Sequence, residues 1–102
     1  MKTIRPNELH ARAHQMRIID VREPREYSDD LGHISGSLLV PLSELEGAAQ
    51  RWGRAHPHVL VCRSGSRSAI ACGVLEKMGF ESLYNLSGGM LAWTKAGLPV
   101  ER

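Results

Sequence analysis

The chain has 102 residues, 42% of them apolar and 24% charged, with a formal net charge of +2. This length and composition are typical of one soluble globular domain and exclude a second hydrophobic core. The small net charge gives no support for nucleic-acid binding, and no segment has the roughly 18 uninterrupted apolar residues of a membrane span.

In the first half of the chain, short apolar runs alternate with helical patterns, which is typical of a parallel sheet with crossover helices. A brief strand, a helix that starts at Pro6 and a buried strand are predicted at residues 3–4, 6–14 and 17–21. A short charged helix or loop and a further strand follow at residues 23–30 and 37–40. Ser43 and Glu46 fit a capping box, which predicts a helix ending near Trp52.

The second half continues the same alternation. Residues 59–61 form a continuous apolar strand, and a Ser-Gly-Ser turn separates it from a predicted helix at residues 67–78, which Gly79 ends. The core-facing stripe of this helix is predicted to contain Ile70, Ala71, Val74, Leu75 and Met78. The last strand and helix are predicted at residues 82–86 and 90–96. The whole pattern predicts an α/β fold with about five parallel strands and helices on both faces.

Polar segments follow three of the predicted strands, at the carboxyl ends where open parallel sheets bind ligands. They are residues 20–22, the segment that starts at Cys62, and residues 87–89. Because carboxyl ends of parallel strands share one edge of a sheet, we expect these segments to converge on one mouth.

Cys62 lies in a long segment without acidic residues, which runs from residue 47 to residue 75. Four arginines fall in the same segment: Arg51, Arg54, Arg63 and Arg67. Two interpretations are open, an ordinary solvated surface and a site that prefers anions.

The segment from Cys62 to Ser68 (CRSGSRS) contains the groups that activate a thiol. An ordinary cysteine with a pKa of ~8.5 is only about 3% thiolate at pH 7. A helix N-terminus, curled backbone N–H groups and the guanidinium groups of Arg63 and Arg67 are together sufficient to lower the pKa. The alternative is a buried, inert cysteine, which needs neither the arginines nor the turn. We therefore predict a nucleophilic Cys62 on a loop between a strand and a helix.

These motifs, taken together, resemble the rhodanese family. They are residues 20–27 (DVREPREY), 32–37 (GHISGS), 61–68 (VCRSGSRS) and 86–89 (LSGG), followed by Trp93, in the family's order over nearly the whole chain. The resemblance implies a rhodanese-like α/β fold and a single rhodanese domain at residues 1–102, because the chain matches the short single-domain form.

The resemblance also implies a thiosulfate sulfurtransferase that needs no cofactor or metal, with Cys62 as the catalytic residue. Cys62 would take a sulfane sulfur from thiosulfate or a persulfide donor and pass it to cyanide or a thiol, which is a ping-pong mechanism. By the same resemblance, Asp20 and Arg22 would support the site. The substrate-binding residues would be Arg63 and Arg67, which suit an anionic sulfur donor, with Ser64, Gly65, Ser66 and Ser68. Thioredoxin, glutathione or a sulfur-carrier protein are compatible acceptors.

Two other functions stay open. Cysteine phosphatases and arsenate reductases of related fold also use a loop from Cys to Arg, but with five residues between the two. Here residues 63–66 make four, and a smaller ring suits sulfur better than a tetrahedral phosphate. A non-catalytic binding or sulfide-sensing module is the other alternative, which the intact Cys62 and its two arginines disfavour.

The remaining signals concern thiols, metals and location. The two cysteines do not form a CxxC pair, so thiols are expected in a reducing compartment. A disulfide between Cys62 and Cys72 would require the intervening helix to unwind. His10 and His14 lack further metal ligands nearby, so they predict no metal site, and His33 is interpreted as structural. The first residues lack the features of a secretory signal, so we expect a cytoplasmic protein.

Overall fold

The computed structural model describes residues 1–102. All five strands are parallel and form one sheet in the order β1-β5-β4-β2-β3. The prediction of an α/β fold with about five parallel strands is therefore confirmed, with the longest pairing between β2 and the central β4. The strands are β1 (Lys2–Ile4), β2 (Arg17–Asp20), β3 (Leu38–Leu39), β4 (His58–Val61) and β5 (Leu83–Leu86).

Helices cover both faces of the sheet, as predicted. They are α1 (Pro6–Arg12), α2 (Pro24–Tyr27), α3 (Leu45–Ala48), α4 (Ser66–Lys77) and α5 (Gly89–Lys95), with 3-10 turns at Ala13–Gln15, Leu42–Glu44 and Ala49–Arg51. Successive residues of β4 point to opposite faces of the sheet. Leu60 packs with residues of α3 and α4, whereas Val59 and Val61 pack with residues of α1 and α5. None of the helices is both long and apolar enough to span a membrane.

The predicted capping box at Ser43 is wrong. Ser43 lies inside a 3-10 turn, and α3 spans only Leu45–Ala48, with no side-chain cap. The N–H groups of Val40 and Leu42 donate to the backbone of β2 and of the residue that follows it. This attachment keeps the chain extended through Pro41, so the first turn begins at Leu42 and has Pro41, not Ser43, at its N-terminal boundary.

The core-facing stripe predicted for α4 is wrong at Ile70, which is 59% exposed. The buried side of the helix instead contains Ser68, Ala71, Cys72 and Leu75, which follow the i, i+3, i+4, i+7 spacing of one helical face. Ser68 and Cys72 occupy two of these four positions, so the positions of the strongly apolar residues do not indicate which side of α4 is buried. Gly79 ends the helix with a positive φ of 93°, as predicted.

A buried histidine lies at the opposite end of β4 from Cys62. The His58 ring stacks on Trp52 and packs edge-on against Phe80. Its Nδ1 lies 2.7 Å from the carbonyl oxygen of His56, while Nε2 has no hydrogen-bond partner. Burial lowers the pKa of His58, and the nearby charge of Arg17 contributes in the same direction.

Acid should destabilise the fold through His58. Its pKa is lowered in the folded state, so below the unfolded value of ~6.5 the unfolded chain binds more protons. The free energy of unfolding should fall as the pH drops from about 6.5, by up to ~1.4 kcal/mol per pH unit for this one proton. Urea unfolding between pH 7 and pH 5 measures this slope, and His58→Phe should reduce it. The exposed His14 provides a matched control, His14→Gln, which should keep the wild-type slope; an unchanged slope in His58→Phe would contradict the assignment.

Candidate active site

The three polar segments that follow strand ends lie next to one another. Cys62 follows β4 directly, and residues 63–65 connect it to α4. The N–H of Val21, just after β2, donates to the carbonyl of Val61 over 2.9 Å. On the other side of Cys62, the N–H groups of Met90 and Leu91, in the first turn of α5, donate to the carbonyls of Cys62 and Arg63 over 2.9 and 3.0 Å. The structure thus brings the segments to one mouth.

Close contact between α5 and the Cys62 loop depends on glycine at position 89. Gly89 has a φ of +58°, and a Cβ atom there would lie 2.5 Å from the carbonyl oxygen of Cys62 and 2.6 Å from that of Arg63. The carbonyls of the loop satisfy N–H groups that the first turn of a helix otherwise leaves unpaired. The loop that carries Cys62 is therefore fixed from below by the start of α5.

The Cys62 sulfur is surrounded by hydrogen-bond donors. Sγ accepts the N–H groups of Gly65 over 3.1 Å and of Ser68 over 3.3 Å, and it lies 3.2 Å from the Ser68 hydroxyl. Burial raises the pKa of the thiol, but hydrogen bonds from the Ser68 hydroxyl and from the amides of Ser68, Gly65 and Ser64 outweigh it. The net result is a Cys62 pKa below its ordinary value.

Asn85 joins this site, although the sequence patterns did not point to it. It is a buried residue of β5, 8% exposed. Its Nδ2 donates to the carbonyl of Gly65 over 3.0 Å, and its Oδ1 accepts the hydroxyl of Ser68 in a short hydrogen bond. One signal was available in the sequence: an asparagine within an apolar buried strand needs partners for its amide.

The two arginines of the loop have different surroundings. Arg67 forms two hydrogen bonds to the carboxylate of Glu26, over 2.7 and 2.8 Å. These bonds are the largest cause that lowers the pKa of Glu26 to about 2, and they tie α2 to the start of α4. Arg63 is exposed and forms no salt bridge within the chain. Of the two loop arginines, only Arg67 is therefore paired with a carboxylate.

The other predicted loop residues differ in their exposure to solvent. Ser64 and Ser66 are exposed, Gly65 is half-buried and Ser68 is fully buried beneath them. Gly65 adopts a φ of 108°, in the left-handed region that favours glycine. This conformation turns the chain so that the Gly65 N–H points back to Sγ.

Asp20 and Arg22 form a buried ion pair, with Arg22 Nη2 2.8 Å from Asp20 Oδ2 and both side chains 1% exposed. Arg22 also donates to the carbonyls of Glu26 and Gly32, over 3.1 and 2.8 Å. The pair thus joins the end of β2 to α2 and to the loop that follows it. Neither side chain hydrogen-bonds to Cys62. A supporting role for Asp20 and Arg22 stays a prediction.

Several other candidates lie away from Cys62. Arg54 donates to the carbonyls of Ala49, Gln50, Trp52 and Met78, so it holds turns in place. Cys72 lies in α4 within the hydrophobic core, where burial raises its pKa to about 12. His33 stacks on the Tyr27 ring, and its Nδ1 lies 2.7 Å from the Tyr27 carbonyl oxygen. No group of three or more His, Cys, Asp or Glu residues is placed to hold a metal ion.

Comparison with known proteins gives a consistent result. The family described as Rhodanese-like domain matches residues 5–96. The chain is 38% identical to the uncharacterized protein YqhL of Bacillus subtilis over 91% of the chain and 72% of that protein. It is 33% identical to the thiosulfate sulfurtransferase GlpE of Stutzerimonas stutzeri, over 90% of the chain and 84% of that protein. A rhodanese-related protein from Thermoplasma volcanium has a similar structure, with a TM-score of 0.87, 29% identity and coverage of 97% and 96% of the two chains.

Some relatives are considerably longer. The chain is 37% identical to the putative sulfur carrier protein YrkF of Bacillus subtilis over 78% of the chain, but spans only 42% of that protein.

Gly89→Ala should destabilise the fold by more than the cost of placing alanine at a positive φ, because the new Cβ would also collide with the Cys62 loop. Gly36 has a φ of +83° and open space where a Cβ would lie, so Gly36→Ala isolates the cost of the left-handed conformation. We expect about 1 kcal/mol of destabilisation for Gly36→Ala and at least about 2 kcal/mol more for Gly89→Ala, because backbone atoms must move. Urea unfolding of both variants measures the difference, and equal losses would contradict the close packing of α5 on the loop.

Proposed function

Since the chain belongs to the rhodanese-like domain family, we propose that it is a thiosulfate sulfurtransferase in which Cys62 carries a sulfur atom between a donor and an acceptor. The observation that supports the proposal is the set of donors around one buried sulfur: two backbone N–H groups and a hydroxyl lie 3.1–3.3 Å from Cys62 Sγ. Donors aimed at a sulfur favour its thiolate form, and the thiolate is the nucleophile in thiol chemistry.

In the first half-reaction, the Cys62 thiolate attacks the outer sulfur of thiosulfate. A bond forms between Sγ and that sulfur, and the sulfur–sulfur bond of thiosulfate breaks with its electron pair going to sulfite. The product is a Cys62 persulfide with one negative charge on the outer sulfur. No proton moves in this step, which agrees with the absence of an acid or base side chain in hydrogen-bond contact with Sγ.

In the second half-reaction, a thiophilic acceptor such as cyanide attacks the outer sulfur. Its bond to Sγ breaks, thiocyanate leaves, and the electron pair returns to Cys62 as the thiolate. Two half-reactions through one covalent intermediate give ping-pong kinetics. The amides of residues 63–67 would stabilise the charged outer sulfur, as the donors of an oxyanion hole stabilise oxygen.

The exposed Arg63 is the better candidate for holding an anionic donor. A guanidinium group binds oxyanions through two parallel hydrogen bonds, and that of Arg63 is free, whereas Glu26 already occupies Arg67. Arg67 would contribute its charge to the mouth while it keeps α2 in place. The role of both arginines in donor binding stays a prediction.

The acceptor in the cell is proposed to be a thiol, presented by thioredoxin, glutathione or a sulfur-carrier protein. Similarity to a putative sulfur carrier protein supports the last of these. We propose a cytoplasmic location because a reactive thiol is best maintained in a reducing compartment.

The function is tested by thiosulfate:cyanide turnover together with intact-protein mass spectrometry. Thiosulfate should add ~32 Da, the mass of one sulfur atom, to the wild-type protein, and cyanide should remove it. Cys62→Ser should abolish turnover and the added mass, because it lacks the nucleophile, whereas Cys72→Ser is the matched control and should keep both. Turnover that persists in Cys62→Ser would defeat the proposal. Hydrolysis of p-nitrophenyl phosphate without sulfur transfer would favour a phosphatase, and neither activity would favour a binding module.

Arg63→Gln tests donor binding separately. A hydrogen bond to a charged group contributes about 1.5–3 kcal/mol, so the KM for thiosulfate should rise about tenfold or more with a small change in kcat. Arg51 is also exposed and belongs to the same segment without acidic residues, so Arg51→Gln is the control and should keep the wild-type KM. Equal KM values for the two variants would contradict the role of Arg63.

A further inference from the structure

The hydroxyl of Ser68 has two neighbours that compete for one proton. Its Oγ lies 3.2 Å from Cys62 Sγ and within a short hydrogen bond of Asn85 Oδ1. The Asn85 amide cannot be turned over without loss, because its Nδ2 donates to the carbonyl of Gly65 over 3.0 Å. The reverse orientation would place two oxygens against each other. Oδ1, which only accepts, therefore faces Ser68.

This geometry makes the direction of the hydroxyl depend on the state of the sulfur. When Cys62 is a thiol, its S–H donates to Ser68 Oγ, and the Ser68 hydroxyl donates to Asn85. When Cys62 is a thiolate, the Ser68 hydroxyl can donate to Sγ only if it gives up its hydrogen bond to Asn85 Oδ1. That oxygen belongs to a residue only 8% exposed, and a buried acceptor without a donor is costly.

We propose that Asn85 is a positioning residue that holds the proton of the Ser68 hydroxyl and releases it to Cys62 only when the negative charge is on Sγ. The next step rests on the proposed function. When Sγ bonds to a second sulfur, the charge moves to the outer sulfur and Sγ becomes neutral. The hydroxyl then returns to Asn85, so Asn85 favours the loaded state over the free thiolate.

The charged groups near the sulfur do not take part in this competition. Arg67 is paired with Glu26, and Asp20 is paired with Arg22 at the end of the neighbouring strand. Arg63 is exposed beside Cys62. The helix N-terminus of α4 also faces the loop. Substitution of Asn85 changes none of these charges, so its effect on the sulfur has to pass through Ser68 or through the carbonyl of Gly65.

A purely structural role of Asn85 and competition of Asn85 for the Ser68 hydroxyl lead to different expected results. Asn85→Leu has a similar volume and lacks both hydrogen bonds. Loss of the bond to Gly65 loosens the loop and raises the pKa of Cys62, whatever residue occupies position 68. Loss of the acceptor frees the Ser68 hydroxyl for the thiolate and lowers the pKa of Cys62, but only if the hydroxyl is present.

The experiment is a double-mutant cycle on the Cys62 pKa. Thiolate absorbance near 240 nm is titrated in Cys72→Ser protein, with and without Asn85→Leu, on the Ser68 and Ser68→Ala backgrounds. Asn85→Leu should shift the Cys62 pKa further downward when residue 68 is serine than when it is alanine. The difference between the two shifts should be about 0.5–1 pH unit, the effect of one hydrogen bond. Equal shifts, or a difference of opposite sign, would overturn the proposal. If Asn85→Leu does not fold, as judged by circular dichroism, Asn85→Ala takes its place in the cycle.

The loading equilibrium gives a second readout. The protein is equilibrated with fixed thiosulfate and sulfite, and the ratio of persulfide to free protein is read by mass spectrometry. Asn85→Leu should lower this ratio about three- to tenfold on the Ser68 background and much less with Ser68→Ala. An equal drop on both backgrounds would contradict the return of the hydroxyl to Asn85. Absence of any persulfide in the wild type would defeat the proposed function, while the pKa cycle still tests the competition.

Discussion

The site depends on one constraint: a buried sulfur lies at the carboxyl end of the central strand, and backbone N–H groups of the next turn point back at it. Two amides, those of Gly65 and Ser68, lie 3.1 and 3.3 Å from Cys62 Sγ. Burial alone would favour the neutral thiol. The Ser68 hydroxyl and these amides offset that cost only while the loop keeps its curvature, so the contacts around the loop maintain it.

Each support of the loop comes from a different element. Below the loop, α5 donates its first N–H groups to the carbonyls of Cys62 and Arg63, which Gly89 alone permits at that distance. From β5, Asn85 bridges the carbonyl of Gly65 and the hydroxyl of Ser68. From α2, Glu26 holds Arg67 at the first turn of α4. Because these contacts are non-local, the hydrogen-bonded environment of the sulfur is tied to the folding of the whole sheet.

The sequence predicted those features that local pattern determines. The five strands, the placement of Cys62 between a strand and a helix, and the convergence of three strand ends follow from apolar runs and turn residues. The pairing of Arg67 with Glu26 was not predicted, because 41 residues separate the two and only the fold brings them together. The partners of Asn85 are likewise distant in sequence, and only its polar amide within an apolar strand indicates that it needs them. The apolar side chain of Ile70 predicts a core position, but Ser68 and Cys72 occupy the buried face instead.

The central claim is that the curled loop keeps the Cys62 thiol acidic. The most direct measurement is a titration of thiolate absorbance in the Cys72→Ser protein, in which Cys62 is the only thiol. The account predicts an inflection below ~8.5, the ordinary value for a cysteine. An inflection at or above that value would contradict it, because burial would then outweigh the donors around the sulfur.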